Sequence, residues 1–316
     1  MRRLILLAAC VLCAGVLRAA DFSSDARGTT AAGFLKLGAG ARAAGLGDAQ
    51  AAVADDASAL YWNPAGLSRI EGSSLVLMHA PYLVSTQFDF AAFAQRFDEN
   101  TFGASVQYFS AGPIARRSDS NGDLGSYQPY DLALTLGYAR RLDDTWRDTF
   151  NLESAGVSAK LIQSKILHTA QTTAVDVGFL SVGYFEDRLH LGYTAANIGG
   201  TLKYEQVAER LPLTFRVGAA FLALPEWTLA LDGVFPRDNA PHAAFGTEYR
   251  GGGEDLRWAV RAGVNTRTLG DVGGLTGVSV GVGASHEGIG LDYALVPFGD
   301  LGLSHRISLS LAFGEK

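Results

Sequence analysis

Arginines recur on one face of segments in which large apolar residues alternate with small or polar ones. They are Arg216, Arg257, Arg261 and Arg306. A guanidinium binds a carboxylate through a fork of N–H donors, so these side chains are candidate contacts for the anionic head group of a ligand. The pattern also fits an internal ion network, which is the favoured interpretation. Its acidic members on the same face are Asp131, Asp176, Asp232, Glu248 and Asp292.

Catalytic signatures are weak. Residues 277–281 read Gly-Val-Ser-Val-Gly, the pattern of a hydrolase nucleophile elbow, but that elbow needs a strand-turn-helix context and this stretch lies inside an alternating segment. Asp55 and Asp56 are not followed by the spacing of a calcium loop, and no phosphate loop is present. We therefore expect no enzyme, metal site or cofactor, with a Ser/His lipid hydrolase as the open alternative. The histidines are scattered: His79, His168, His190, His242, His286 and His305.

Composition limits the class of protein. The 316 residues are 48% hydrophobic and 18% charged, with 38 glycines and a net charge of -6. Each glycine weakens a helix interior by about 1 kcal/mol, so this content favours strands. Without a basic patch to neutralise phosphates, a nucleic-acid partner is not expected.

The first twenty residues have the features of a signal peptide. Arg2 and Arg3 precede the apolar stretch 4–17, and small residues follow at 19–20. A lipobox ending at Cys10, or an uncut anchor helix, are the alternatives. Both cysteines, Cys10 and Cys13, lie in this leader, so the mature chain is expected to have no thiol. No later stretch reaches about 18 apolar residues, which predicts no transmembrane helix.

Residues 73–316 are predicted to form an all-β domain, a transmembrane antiparallel up-and-down β-barrel. The sequence repeats a two-residue alternation, here called the dyad, in which every second residue is large and apolar. The dyad is clearest at 130–138, where the residues between are small or polar. A closed barrel pairs every backbone polar group internally, as a bilayer requires. About fourteen strands are predicted, an even number as bacterial barrels have. Their spans are 73–80, 86–97, 101–111, 128–140, 153–167, 171–185, 188–198, 211–223, 226–235, 241–250, 255–266, 275–285, 287–296 and 304–313.

Connections and aromatic residues support the barrel. If the first strand starts in the periplasm, the long connections are predicted on the outer side of the membrane and the tight ones on the periplasmic side. The connection 141–152 is an exception, because it is periplasmic and long. The long outer ones are 112–127, 198–211, 266–275 and 297–304. The tight inner ones are 98–100, 186–187, 224–225 and 286–287. Aromatic residues on the apolar face suit the two girdles of such barrels: Tyr138, Tyr193, Trp227, Tyr249, Trp258, Tyr293 and Phe313.

Residues 21–72 lack the strand dyad and are rich in alanine and glycine. Asp55 and Asp56 precede a short helix predicted at 57–61 and ended by Pro64. A disordered leader is the alternative, but many large apolar residues here require burial, so we predict an N-terminal plug folded into the lumen. Those residues are Phe34, Leu35, Leu37, Leu46, Leu60, Tyr61, Trp62 and Leu67.

Two stretches resemble a known family. Residues 45–67, GLGDAQAAVADDASALYWNPAGL, resemble the N-terminal signature of the PorV/PorQ family, and residues 291–313 look like that family's ending. The family belongs to the FadL-like group, a resemblance that implies fourteen strands and a plugging N-terminal segment. A plug or gate role is therefore predicted for one set of residues, although its last four also suit a helix stop and turn. The set is Asp48, Asp55, Asp56, Asn63, Pro64, Ala65 and Gly66.

The resemblance implies two functions. PorV-like members serve type IX secretion, receiving secreted proteins and passing them to surface attachment. FadL-like proteins carry hydrophobic small molecules such as fatty acids across the outer membrane. The first function is preferred and the second is the alternative; a structural or adhesive barrel is a third. The expected location is the outer membrane of a Gram-negative-type bacterium. The expected partners are its lipids, with secretion-system subunits and cargo, or a hydrophobic ligand.

Overall fold

The structure is a computed structural model that describes residues 21–119, 122–204, 206–253, 255–269 and 273–314. The predicted signal peptide, residues 1–20 with Cys10 and Cys13, lies outside the described residues. Within the described ranges, no helix combines the length and apolar character needed to cross a bilayer.

Strands make up most of the chain. They are β1 (Ser73–Pro81), β2 (Gln87–Phe97), β3 (Asn100–Ser110), β4 (Ile114–Arg117), β5 (Asp123–Tyr127), β6 (Tyr130–Arg141), β7 (Leu152–Lys165), β8 (Thr169–Ser181), β9 (Leu189–Gly199), β10 (Thr201–Lys203), β11 (Ala208–Arg210), β12 (Thr214–Leu224), β13 (Trp227–Pro236), β14 (His242–Gly252), β15 (Arg257–Asn265), β16 (Val278–His286), β17 (Ile289–Pro297) and β18 (Leu303–Phe313).

Helices are few and short. Three are α-helical: α1 (Ala41–Gly45), α2 (Ala59–Trp62) and α3 (Asp144–Phe150). The others are 3₁₀ turns at Ser24–Ala26, Gly33–Lys36, Pro64–Arg69, Thr266–Thr268 and Gly299–Leu301.

Fourteen of the strands close into one antiparallel barrel, in the order β1-β18-β17-β16-β15-β14-β13-β12-β9-β8-β7-β6-β3-β2. The predicted fold is therefore confirmed, and each predicted span corresponds to one barrel strand. The largest boundary error is at the end of β8, predicted at 185 and observed at Ser181. The seam is formed by β1 and β18, whose pairing runs from Ser73 opposite Phe313 to His79 opposite Ile307.

The two faces of each barrel strand differ as the dyad predicts. In β15 the side chains of Trp258 and Val260 are exposed on the outer face, while Ala259 and Arg261 are buried on the inner face. Large apolar side chains also cover the outside of the neighbouring strands. An apolar outer band with an inner face of small and polar residues is the arrangement of a barrel that stands in lipid.

The two ends of the barrel carry different connections. At the end where β1 begins, which we call the turn rim, three connections are tight, at residues 98–99, 225–226 and 287–288. At the opposite end, the loop rim, the long connections include two hairpins that the sequence did not reveal, β4 with β5 and β10 with β11. The loop rim also has three shorter connections, at 82–86, 166–168 and 237–241.

The long connection at the turn rim is a helix. The sequence predicted a long inner connection at 141–152, and the structure shows that it contains α3. Asp143 caps this helix by accepting a hydrogen bond from the backbone N–H of Trp146, and Asn151 ends it in the left-handed conformation that asparagine tolerates. A turn of helix explains how a long connection fits on this rim.

Residues 21–72, which we call the lumenal segment, pack against the inner faces of the barrel strands. Inward glycines mark the contact, because a Cβ at Gly192 would lie 2.0 Å from Ala51 O and one at Gly263 would lie 2.0 Å from Gly47 N. The segment's own apolar side chains, such as Leu60 and Leu67, are fully buried. That the segment closes the lumen to solutes stays a prediction.

A closed barrel predicts a simple electrophoretic result. Because its hydrogen-bonded wall resists unfolding in detergent, the unboiled protein is expected to migrate differently from the boiled protein on a denaturing gel. The measurement compares the two samples side by side. Identical migration would contradict a closed barrel.

Candidate functional site

The Asn63-Pro64-Ala65-Gly66 element lies at the junction of two short helices. Asn63 ends α2, and Pro64 begins the 3₁₀ turn Pro64–Arg69. The Asn63 side chain is fully buried; its amide donates to the carbonyl oxygens of Ala51, at 2.7 Å, and Phe179, at 3.3 Å. Its Oδ1 accepts from the N–H of Ala65 at 3.1 Å. Asn63 therefore joins two parts of the lumenal segment to β8.

The barrel wall leaves space for this element. A Cβ at Gly178 in β8 would lie 2.0 Å from Asn63 Oδ1, and one at Gly156 in β7 would lie 2.3 Å from the carbonyl carbon of Pro64. Ser154 Oγ also donates to Ala65 O at 3.2 Å. The element is thus packed directly on bare backbone of the wall.

Gly66 has a different role from the expected one. A helix stop and turn was expected at these residues, but Gly66 lies inside the 3₁₀ turn and is not among the glycines with positive φ. Instead, a Cβ at this position would lie 2.5 Å from Ala54 O. Close backbone packing, not turn geometry, requires glycine here.

The helix prediction for 57–61 was wrong in its bounds and its cap. The helix is α2, and its N-cap residue Ser58 makes no side-chain cap hydrogen bond. Asp56 Oδ1 accepts from the N–H of Ser58 at 2.8 Å, so it closes the turn before the helix. Asp55 instead pairs with Arg42 at 2.5 Å. Although burial alone would raise its pKa, the charge of Arg42 holds the pKa of Asp55 below its usual value.

Glu248 is the centre of a buried ion network at the turn-rim side of the lumen. This carboxylate has no exposed surface and accepts from Arg42 of α1, at 3.1 Å, from Arg250, at 2.6 Å, and from Arg261, at 2.5 Å. Arg261 also pairs with Asp292 of β17 at 2.6 Å. The network links the lumenal segment to β14, β15 and β17, so Arg261 acts as a structural connection.

Arg216 and Asp232 tie another part of the lumenal segment to the wall. Asp232 accepts from Arg216 at 3.0 Å and from the backbone N–H groups of Gln50 and Ala51 at 2.9 and 3.0 Å. Arg216 also donates to Asp48 O at 2.8 Å and lies 5.0 Å from the ring centre of Trp62. Asp48 itself has positive φ, at 69°.

The remaining predicted arginines lie apart. Arg306 donates to the carbonyl oxygens of Leu37, at 2.8 Å, and Gly38, at 3.1 Å. Arg257 lies at the turn-rim cavity, of about 650 Å³, and no hydrogen bond or ion pair joins it to a described residue. The four arginines therefore do not converge on one ligand site.

Three of the five acidic residues predicted to form an internal ion network with the arginines do so. Asp232, Glu248 and Asp292 pair with arginines, whereas Asp176 pairs with Lys160 at 2.6 Å. Asp131 accepts from the Ser164 hydroxyl. The dyad predicted that these side chains lie on the inner face of the barrel. Which of them form ion pairs depends on strand register, which the dyad does not give.

The 277–281 pattern is not in an elbow. Ser279 is buried on the inner face of β16, with Val278 and Val280 on either side in the same strand. Its position is that of a small lumen-facing residue, as the alternation predicted.

A second cavity, which we call the outer cavity, lies between the lumenal segment and the loop rim. Its volume is about 330 Å³. Aromatic and apolar side chains line part of it, including Leu35, Tyr61, Trp62, Tyr82 and Phe298. Charged and polar side chains line the rest, including Lys36, Asp48, Lys160, Thr194, Arg216, Asp238, His242 and Arg267.

Most of these residues were missed from the sequence. Arg267 lies in the 3₁₀ turn Thr266–Thr268 after β15, and Lys36 lies in the turn Gly33–Lys36, so neither is on a dyad segment. Lys160 and Thr194 do follow the dyad on β7 and β9. Their inward direction could have been read from the alternation, but not their meeting at one cavity.

Replacing Asn63 by alanine is expected to destabilise the protein. The change removes hydrogen bonds at both ends of a fully buried amide and leaves Ala51 O without a donor. A loss of about 1–3 kcal/mol is expected, measured by thermal unfolding in detergent. Replacement of the exposed Gln171 by alanine is the control. An Asn63→Ala protein as stable as the wild type would contradict a structural role for the amide.

The comparisons agree with this architecture. The family model for the type IX secretion system protein PorV matches residues 22–227. The fold and the lumenal segment thus define a closed fourteen-strand antiparallel β-barrel with its N-terminal segment packed inside. The chain belongs to the PorV family, which confirms the resemblance seen in residues 45–67. No curated protein sequence matches the chain.

Solved structures show the same fold. The toluene transporter TodX of Pseudomonas putida is 14% identical, with a TM-score of 0.61, over 87% of this chain and 98% of that one. The toluene transporter TbuX of Ralstonia pickettii is 13% identical, with a TM-score of 0.57, over 87% and 98%. A FadL homologue of Pseudomonas aeruginosa is 11% identical, with a TM-score of 0.50, over 84% and 96%. At these identities the likeness concerns the fold alone.

Proposed function

We propose that this protein is an outer-membrane barrel that works in type IX secretion, in the export or surface delivery of cargo proteins. The observation that carries the proposal is the PorV family match over residues 22–227. The match includes most of the lumenal segment and all of β1 to β12. In this proposal the protein binds and delivers cargo without catalysis.

The lumen of the barrel suits a role other than an open pore. The lumenal segment is packed against inward glycines of β6 to β9, β12 and β14 to β16. Two hairpins, β4 with β5 and β10 with β11, extend the loop rim. In this proposal the loop rim, which faces outward, is where cargo and secretion-system subunits bind.

The proposed location is the outer membrane of a Gram-negative-type bacterium. The turn rim then faces the periplasm, since short periplasmic turns and longer outside loops are usual in such barrels. Lipids of that membrane surround the apolar outer face.

The second candidate function is transport of a hydrophobic small molecule. The outer cavity favours it, because about 330 Å³ of space beside Tyr61 and Trp62 is within the range of ligand pockets. One feature opposes it, because many charged groups line the cavity.

One experiment separates the two functions. The native protein is purified from outer membranes by affinity, and the same sample is analysed by proteomics and by lipid mass spectrometry. Secretion-system subunits or secreted proteins in the eluate support the delivery role. A stoichiometric apolar ligand without protein partners would replace it with transport. A barrel mutant that fails to fold serves as the control for nonspecific capture.

A further inference from the structure

We propose that the outer cavity binds a compact organic carboxylate, with Arg267 as the cation that takes its charge. This site goes beyond the secretion function and does not depend on it. The cavity and the charges around it carry the argument.

The other basic groups at the cavity already have partners. Lys36 pairs with Asp238, Lys160 pairs with Asp176 and Arg216 pairs with Asp232. A pair of this kind leaves little charge for a ligand.

Arg267 differs from these three cations. It is half-buried, its Nη1 donates to the backbone carbonyl of Lys36 at 3.1 Å, and no carboxylate of the described chain pairs with it. A guanidinium has five donors in a fixed fork, so most of its donors remain for another group. A carboxylate is the planar acceptor that this fork fits in a bidentate manner.

Asp48 does not supply that acceptor. Asp48 lines the cavity, but no hydrogen bond or ion pair of the described residues joins its carboxylate to Arg267, and its buried Oδ1, near Gly38 and Arg306 Nη1, has no hydrogen-bond partner among them. The basic side chains that line the cavity are Lys36, Lys160, Arg216 and Arg267, and the first three pair with Asp238, Asp176 and Asp232. Arg267 is therefore the lining cation without a carboxylate partner among the described residues.

The barrel wall adds one more polar group to the cavity. Thr194 is 7% exposed, lines the cavity, and its hydroxyl has no hydrogen-bond partner among the described residues. Buried hydroxyls are normally paired, so an absent partner at a cavity indicates a ligand or water position.

The size and lining of the cavity define the part of the ligand that carries the carboxylate. A volume of about 330 Å³ equals the space of roughly eleven waters, which suits a compact body and excludes a long chain held wholly inside. Tyr61, Trp62, Tyr82 and Phe298 offer aromatic surface to that body. A ring or a short aliphatic chain bearing one carboxylate has this chemistry.

The test is calorimetric titration of the detergent-solubilised full chain with benzoate, and with benzamide as the uncharged molecule of the same shape. Saturable binding of benzoate is expected, with benzamide at least tenfold weaker. Arg267→Gln is expected to weaken benzoate binding at least tenfold, and Arg267→Lys by less. Each variant is first shown to retain heat-modifiable migration, so that loss of binding reports the site.

Arg257→Gln is the matched control, because Arg257 also lacks a described partner but lies at the other end of the lumen. It is expected to bind benzoate like the wild type. Equal affinity for benzamide and benzoate would overturn the proposal, as would unchanged affinity in Arg267→Gln or absence of saturable benzoate binding. None of these results would affect the secretion function, which the affinity purification tests.

Discussion

Deletion of residues 45–67 is expected to convert the filled barrel into a channel that small hydrophilic solutes cross. The deleted stretch supplies Leu46 and Gly47 against β14 and β15 and Asn63 against β8. Barrels of eight strands are filled by their own side chains, whereas those of 16–18 strands leave an aqueous channel. A fourteen-strand barrel with small inward residues is closer to the second case once its filling is removed.

Solute influx in liposomes is the measurement, and a rise of roughly tenfold or more is expected from an opened lumen of this size. Deletion of the β4–β5 hairpin, residues 114–127, is the control because its strand residues are almost all exposed at the loop rim. That variant should stay closed. If the 45–67 deletion inserts correctly, judged by heat-modifiable migration, and influx does not change, then the segment is not what closes the lumen.

Replacing Glu248 by glutamine is expected to be the most destabilising single change. The substitution keeps the shape of the side chain but removes the only charge that Arg42, Arg250 and Arg261 share. Breaking a buried ion pair by removing one partner costs about 3–5 kcal/mol, because the other charge stays buried without compensation. The remaining pairs of Arg261 with the half-buried Asp292 and of Arg42 with Asp55 offset only part of this loss.

Two readouts test the Glu248→Gln prediction. The unfolding temperature in detergent should fall, and trypsin should cleave after Arg42, because α1 loses its attachment to β14. Glu226→Gln is the matched control: it makes the same charge change at an exposed position of the turn rim. A Glu248→Gln protein that melts with the wild type and resists trypsin would show that the network contributes nothing to holding the lumenal segment.

The barrel could be predicted from sequence because its signal is local. Each strand repeats the dyad over about ten residues, and the side-chain direction along a strand has a fixed period of two. That is why even the inward direction of Arg216 and Arg261 could be read directly. Nothing in the dyad says which strands lie side by side at which register, so the Arg261–Glu248–Arg42 connection was not visible.

The helices and turns outside the barrel strands were harder to predict from the sequence, for a physical reason. α3 has seven residues and no buried side chain, so it carries no amphipathic pattern to detect. α2 has four residues, and its position is decided by the packing of Asn63 on bare backbone at Gly178, a contact between residues distant in sequence. Arg267 escaped notice because it lies in a turn, where side-chain direction has no period.

The inward glycines also constrain how the molecule is assembled. They leave no clearance: Gly263 meets Gly47, Gly192 meets Ala51, and Gly72 sits against the end of β18 at Phe313 O. A chain segment so closely fitted cannot be threaded into a finished cylinder. Since β1 directly follows the segment and closes the wall with β18, the seam must form around contents already in place. In the full-length chain filling therefore precedes closure, and an assembly intermediate in which β1 is already paired with β18 should already contain the lumenal segment.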